Sequence, residues 1–335
     1  MKRFLSALVA LLMLAVCVTA GSANEVKSDY YDCTGERFSG LQLPYLEDGG
    51  LPSEDDFITD EDIASHKLTF INLWDNNCYY CMLEMPHLKQ LCEEYSDRGL
   101  FMVGVCYNKI QGGNYAAEYQ YAQQNGTPYP IVQADMNINR MAAHNSFVPQ
   151  SFLVDSTGGI IEFIPGAYEN YQDFADTVEY WLDLIDSGET YTVTFMDGAT
   201  NEVIEAQSVP AGHCPIFPEV PAHTGYTFDG WDADHVGGVS EDMTITANYT
   251  AARYRVRFFD SITGNKIGQV FVDYGQPAEA PEAPEHEGYV FVGWDKDISC
   301  ITSGMDVYTV YAPAGGLLGD VDGSGTITAN DALAI

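Results

Sequence analysis

Two cysteines separated by two residues, Cys78-Tyr79-Tyr80-Cys81, constrain this chain more than any other feature. Ahead of them lies an apolar run, Leu68 to Trp74, that reads as a buried strand. After them comes a helical pattern with Met85, Leu88, Leu91, Cys92 and Tyr95 on one face. The first cysteine therefore falls where a strand hands over to a helix N-terminus. Unpaired amides and the helix dipole stabilise a thiolate there. A pair so spaced can close a small disulfide ring and open it again, which is the chemistry of thiol–disulfide exchange.

The N-terminus reads as an export signal over residues 1–23. Lys2 and Arg3 precede an apolar run from Phe4 to Val18, and Ala20, Gly21, Ser22 and Ala23 supply small residues for cleavage. The run is short for a membrane span, and no second long apolar stretch follows, so a soluble exported chain is expected. Leu14-Ala15-Val16-Cys17 loosely matches a lipoprotein box, but Val16 is too large for the position before a modified cysteine. Lipid anchoring at Cys17 is therefore not expected. With 14 basic against 49 acidic residues the net charge is −35, and no Lys or Arg occurs between Arg140 and Arg253. Such a balance argues against nucleic acid or anionic lipid as a partner and suits a solvated, secreted surface.

Once Cys17 leaves with the signal, Cys33, Cys78, Cys81, Cys92, Cys106, Cys214 and Cys300 remain. An odd number in an exported chain leaves at least one free or paired between chains. Cys92, on the helix face, and Cys106, in a strand, read as buried thiols. For Cys33, Cys214 and Cys300 the sequence offers no pairing.

Residues 24 to about 66 read as an acidic lead-in, and strand and helix alternate from about 67 to 188. Strands are expected at Leu100–Tyr107 and Tyr129–Gln133, with helices around Tyr115–Gln124, Asn139–His144 and Tyr171–Ile185. Ser156-Thr157-Gly158-Gly159 between Ser151–Asp155 and Ile160–Ile164 is a hairpin signal. The texture changes at Tyr191, where short β-rich runs with Pro and Gly take over. Tyr191-Thr-Val-Thr-Phe195 recurs as Tyr254-Arg-Val-Arg-Phe258, and Gly225-Tyr-Thr-Phe-Asp-Gly-Trp231 as Gly288-Tyr-Val-Phe-Val-Gly-Trp294, both 63 residues on. Two similar β modules thus stand in tandem, with Trp231 and Trp294 expected in their cores. A final loop, Asp320 to Asp331, sets oxygen ligands at Asp320, Asp322, Ser324, Thr326, Thr328 and Asp331, with Gly325 at the turn; this is a calcium-loop spacing.

The α/β segment resembles the thioredoxin superfamily, and within it the exported TlpA-like thiol–disulfide reductases. The resemblance spans roughly residues 40–187 and rests on Phe70-Ile-Asn-Leu-Trp74, the cysteine pair, Glu84, Pro86, Val103-Gly-Val105 and Val148-Pro149 before Ser151-Phe-Leu-Val-Asp155. It implies an α/β thioredoxin fold with a central mixed sheet, Cys78 as nucleophile, Cys81 as resolving cysteine and a redox-active Cys78–Cys81 disulfide. It also implies Glu84 handling the Cys81 proton, the alternative being a solvated first-turn Glu. Pro149 would be cis and Val148 would pair with substrate backbone. Trp74 would shield the active face or else be a buried aromatic, and Pro86 would kink the helix. Tyr79-Tyr80 departs from relatives that carry Pro before the second cysteine. The modules resemble internalin-type B-repeats, β-grasp-like units of bacterial surface proteins. The last segment resembles the first half of a dockerin, the module that docks onto cohesins.

The expected organisation is a signal peptide at 1–23, a thioredoxin-like domain at 24–188, repeats at 190–252 and 253–313, and a partial dockerin at 317–335. The expected function is a secreted or cell-surface thiol–disulfide oxidoreductase, most simply a reductase, acting on protein thiols and disulfides. Its redox site needs no cofactor, and Ca2+ would serve only a complete dockerin. The alternatives are a non-catalytic surface binding or scaffold protein and, further off, a thiol peroxidase. The latter would want Pro and Thr or Ser ahead of Cys78, where Asp75-Asn76-Asn77 stand. His87, His144, His213, His223, His235 and His286 show no ligand spacing and read as surface or packing residues.

Overall fold

The computed structural model describes residues 30–47, 49–107, 115–145, 147–233 and 236–314. The export-signal residues 1–23, Cys17, His235 and the Asp320–Asp331 loop lie outside the described residues. The chain forms two compact units. The first takes in the described residues of Met1–Glu189, together with Pro210–Cys214 and those of His235–Val239; the second holds the rest. Among the described residues no helix is long and apolar enough to cross a membrane.

The first unit is a seven-stranded mixed sheet in the order β2-β1-β5-β4-β3-β6-β7. Its strands are β1 (Gln42–Glu47), β2 (Leu51–Thr59), β3 (Leu68–Trp74), β4 (Leu100–Cys106), β5 (Ile131–Gln133), β6 (Gln150–Asp155) and β7 (Ile160–Pro165). The helices are α1 (Asp60–Ala64), α2 (Tyr79–Tyr95), α3 (Ala116–Asn125), α4 (Met136–Ala143) and α5 (Tyr171–Asp186). The strands β3, β4 and β5 run parallel, and β6 and β7 add antiparallel on the other side. Every residue of β3 is buried. Its side chains alternate: Leu68, Phe70 and Trp74 join a core with α2 and α5, while Ile71 and Leu73 join the core on the other face. A central strand covered on both faces has no solvent side to show, which is why the run reads as mainly apolar sequence, with Thr69 and Asn72 its polar members.

Residues 42–64 are not a lead-in but a hairpin and a short helix. The hairpin forms the sheet's far edge, so β2 buries little beyond Ser53 and Ile58 and keeps its acids in solvent. The Gly49-Gly50 turn, both residues at positive φ, is the one local signal for it. β5 starts only after Pro130, which has no N–H to give the ladder, although its carbonyl accepts from Gly104 N. α4 begins earlier than periodicity suggests because Asp135 caps it, accepting from Ile138 N at 2.9 Å. α2 continues through the exposed Pro86.

Asp155, fully buried at the end of β6, organises the β6–β7 turn. Its Oδ1 accepts from Thr157 N, Thr157 Oγ1 and Gly159 N, and its Oδ2 accepts from Cys214 N at 2.8 Å. Gly159 is required there, since a Cβ would lie 2.7 Å from Cys214 Cβ and 2.8 Å from Asp155 Oδ2.

The second unit contains two four-stranded sheets of one design. The first holds β8 (Thr190–Asp197), β9 (Val203–Pro210), β10 (Tyr226–Trp231) and β11 (Met243–Ala251) in the order β10-β11-β8-β9. The second holds β12 (Arg253–Phe259), β13 (Lys266–Asp273), β14 (Tyr289–Trp294) and β15 (Met305–Pro313) in the order β13-β12-β15-β14. In each, the first and fourth strands pair parallel and the third joins the fourth antiparallel; β12 and β13 also pair antiparallel. Trp231 lies against Phe195 and Trp294 against Phe258, with ring centroids 5.2 and 5.0 Å apart. A buried aspartate holds the first turn of each repeat: Asp197 accepts from Ala199 N, Thr200 N and His223 Nε2, and Asp260 from Ile262 N, Thr263 Oγ1 and His286 Nε2. Burial alone would raise both carboxyl pKa values, but these donors outweigh it and hold both below the usual range.

Asp155→Ala strips four donors of one acceptor inside the first unit. A loss of about 2–4 kcal/mol is expected, read as a drop of several degrees in that unit's calorimetric transition; an unchanged transition would refute this account of the turn.

Candidate active site

Cys78 is the N-cap of α2. The chain leaves β3 at Trp74, turns through Asp75-Asn76-Asn77, and enters the helix with the Cys78 sulfur accepting from Cys81 N at 3.1 Å. The loop is self-supporting, because Asp75 Oδ1 takes the Asn77 amide at 2.7 Å and Asp75 O takes Cys78 N at 3.0 Å. Cys78 and Cys81 are joined as a disulfide, with their Cα atoms 5.2 Å apart. Cys78 is half-buried and Cys81 fully buried, so a visiting protein reaches the first sulfur. The amide that now serves the Cys78 sulfur would equally serve its thiolate.

The Val148–Pro149 peptide bond is cis, and the Val148 carbonyl lies 3.4 Å from Cys78 Sγ. A cis Pro149 is what the resemblance implied, and the group beside Cys78 is the carbonyl of its neighbour Val148. Tyr79 and Tyr80, between the cysteines, are 70% and 64% exposed and meet edge to face at 5.4 Å. Trp74 is fully buried against Tyr121, which removes it from any surface a partner could touch. Of the two expectations for Trp74, the buried aromatic is the one its burial matches, and a place among substrate-binding residues is not: Trp74 is the last residue of a strand covered on both faces.

Glu84 is fully buried, not solvated. It lies one turn beyond Cys81 on the same side of α2. Its Oε1 accepts from Asn72 Nδ2 at 2.8 Å, and the same amide donates to Ser151 Oγ at 3.0 Å. Asn72 and Ser151 are register partners on β3 and β6 and face α2 by strand parity. Burial pushes the Glu84 carboxyl up to about 8, against the lowering pull of the Asn72 hydrogen bond. Sequence reasoning assigned no role to Asn72 or Ser151. The available signal was parity: Asn72 interrupts the apolar face of β3 at the position that points towards the helix.

The remaining described cysteines are free. Cys33, Cys92, Cys106 and Cys214 are buried and Cys300 is exposed. Burial, then Glu36 and Asp32, push Cys33 up to about 12, and burial raises Cys92, Cys106 and Cys214 as well. Four thiols are thereby kept protonated and out of reach, while Cys300 stands exposed without a nearby cysteine partner. Among the described residues no His, Cys, Asp and Glu cluster is arranged to hold a metal.

The AhpC/TSA family model matches residues 43–163, and the Listeria-Bacteroides repeat model matches residues 191–252 and 254–315. The first unit carries an AhpC/TSA thioredoxin-superfamily domain. Its relatives include the thiol-disulfide oxidoreductase ResA of Halalkalibacterium halodurans, 27% identical over 120 residues, which cover 36% of this chain and 62% of that protein. They also include the thiol:disulfide interchange protein HelX of Rhodobacter capsulatus, 29% identical over 160 residues, 47% of this chain and 84% of that protein. A further relative is internalin H of Listeria monocytogenes, 33% identical over 140 residues, 38% of this chain and 24% of that protein. The chain spans between 13% and 24% of the length of the first curated relatives it matches.

Glu84→Gln keeps the Asn72 hydrogen bond and removes the ionisation. The carboxyl titrates near 4.5 when unfolded and near 8 when folded, so stability is complete below pH 4.5 and falls as pH rises through 8. The Gln variant should match the parent at pH 4 and exceed it by a few kcal/mol at pH 9, measured by unfolding of the disulfide-closed protein at both pH values. Parallel pH profiles for the two proteins would overturn this reading.

Proposed function

We propose that this chain is an exported thiol–disulfide oxidoreductase working as a reductase through Cys78 and Cys81. The observation that carries this is the closed disulfide at the α2 N-terminus, faced by the Val148 carbonyl at the cis proline. The ResA and HelX relatives support the same reaction class.

In the reductive direction the Cys78 thiolate attacks one sulfur of a partner disulfide, forming a mixed disulfide and releasing the partner's other sulfur as a thiolate. Cys81 then loses its proton to the Glu84 carboxylate and attacks the Cys78 sulfur. The Cys78–Cys81 bond closes, the partner leaves as a dithiol, and two electrons have passed to it. An external dithiol reductant restores the pair. A carboxyl titrating near 8 is matched to this task, since it accepts a thiol proton without remaining permanently charged in the core. Val148 offers its backbone to the partner's chain beside the reacting sulfur, and the exposed rings of Tyr79 and Tyr80 give that chain apolar contact.

The Listeria-Bacteroides repeats and the dockerin-like segment would deliver this activity to a bacterial cell surface or a cohesin-bearing assembly. The strand order and the parallel first-and-fourth pairing of each repeat support a β-grasp-like reading. Oxygen ligands from Asp320 to Asp331 would take Ca2+ in a complete module. A second reading, a non-catalytic surface-binding protein, draws on the open face of the second repeat, where Phe271, Val290 and Val292 are all more than half exposed.

Reduction of insulin disulfides in the presence of dithiothreitol tests the choice. Cys78→Ser should abolish turnover, and Cys81→Ser should trap a mixed disulfide with the substrate. Turnover at the parent rate in Cys78→Ser would end the enzymatic reading.

A further inference from the structure

Of the chain's 14 basic residues, five lie in the second repeat: Arg253, Arg255, Arg257, Lys266 and Lys296. The first repeat has none. Strand parity concentrates the arginines. Val256 and Phe258 of β12 point into the core, so Arg253, Arg255 and Arg257 share the outward face. In the first repeat the structurally equivalent positions are Thr190, Thr192 and Thr194. The scaffold folds without these charges, so they are an addition to it.

The face around them is built. Arg257 forks onto Asp306 with Nε–Oδ1 and Nη2–Oδ2 distances of 2.5 and 2.7 Å, and Lys296 Nζ donates to the Asp306 carbonyl at 2.6 Å. The register partners that correspond to Arg257 and Asp306 in the first repeat are Thr194 and Thr244. The Arg253 guanidinium lies 5.7 Å from the Phe271 ring and that of Arg257 5.7 Å from Phe259, which stacks on Tyr308. A guanidinium near an aromatic ring keeps its N–H donors for planar acceptors, as Arg257 does for Asp306. Arg253 has a loose ion pair with Asp273 at 3.9 Å, and Asp295 and Asp297, which flank Lys296, accept from the Tyr308 and Ser299 amides. Arg255, between its two neighbours, is exposed, and an open cavity of about 530 Å³ lies against it, lined also by Arg257, Lys296, Gly304, Met305 and Asp306.

We propose that this face of the second repeat binds an extended acidic segment of a partner protein through carboxylates at alternate positions. Side chains at i and i+2 of a strand lie about 6.7 Å apart, so Arg253 and Arg255 stand at the spacing of alternate residues in an extended peptide, next to Arg257, which Asp306 already holds. Asp306 on Arg257 already displays the bidentate geometry such a carboxylate would adopt on Arg255. The cavity lining sets Arg255, Arg257 and Lys296 against Asp306, a surplus of positive charge complementary in sign to an acidic segment, while Asp273, Asp295 and Asp297 lie beside the flanking cations. The site is separate from the cysteine pair and does not depend on the redox reading.

The test uses the full chain and a fluorescein-labelled peptide of about twelve residues alternating Glu and Thr, with a Gln–Thr peptide as the neutral control. Fluorescence anisotropy should report saturable binding of the Glu peptide only, weakened by salt at about 0.3 M. Arg255→Gln combined with Arg253→Gln should weaken it about tenfold or more, with insulin reduction unchanged and circular dichroism confirming the fold. Absence of binding at millimolar peptide, or equal affinity in the double variant, would overturn the proposal. Tighter binding of a polyphosphate of equal charge would also overturn it, by making phosphate the ligand.

Discussion

The structure turns on a geometric constraint at one strand end. β3 is buried along its whole length, so nothing reactive can sit on it. Chemistry becomes possible only where the chain leaves the sheet. At that exit the first turn of α2 has amides with no helical partner, and Cys78 stands where one of them points at its sulfur. Five buried apolar residues of β3 hold the exit in place, and the helix that begins there is pinned by Leu88, Leu91 and Met85 in the same core as Leu68, Phe70 and Trp74. The disulfide pair thus borrows its rigidity from packing and its electrostatics from unsatisfied backbone.

Beneath the pair, the same packing imposes a cost that the chain accepts at one point. Glu84, Asn72 and Ser151 put a polar cluster into an otherwise apolar interface. Asn72 supplies one hydrogen bond to Glu84, which is less than an ionised carboxylate needs in a dry site. The carboxyl therefore favours its neutral form, and its titration moves towards the range where thiols titrate. A better-solvated Glu would titrate in the ordinary carboxylate range.

Much of this was legible in advance because the signals were local. Cys78, Cys81 and the Ser156–Gly159 turn announce themselves by spacing and turn chemistry, and Val148-Pro149 by its place before a strand. The β1–β2 hairpin was not legible, since an edge pair buries too few residues to interrupt acidic sequence with periodicity. The fate of Glu84 and Trp74 was not legible either. Helix and strand parity name the face a residue occupies, but whether that face is dry depends on what packs over it. Cys214 had no pairing in the sequence because its role is backbone: its amide serves Asp155 while its thiol stays free. The His223–Asp197 and His286–Asp260 pairs recur with the 63-residue offset and could have been read from the repeat. Searching histidines for metal spacing passes over them, because each partners a carboxylate that holds a turn.

The two repeats make a natural comparison, because one scaffold has been kept while its surface diverged. Val193 and Phe195 in the first, and Val256 and Phe258 in the second, fill equivalent core places, and the Asp–His turn lock is common to both. What differs lies on the opposite parity of the first strand: threonines in one, arginines in the other. Folding cannot account for that difference, since the threonine version builds the same sheet in the same register. Cations close together repel, and in the second repeat only Arg257 is forked onto a carboxylate, so the row gains little for its own stability. A feature that the scaffold does not need, and that adds like charges to one face, is better explained by what it meets than by what it supports.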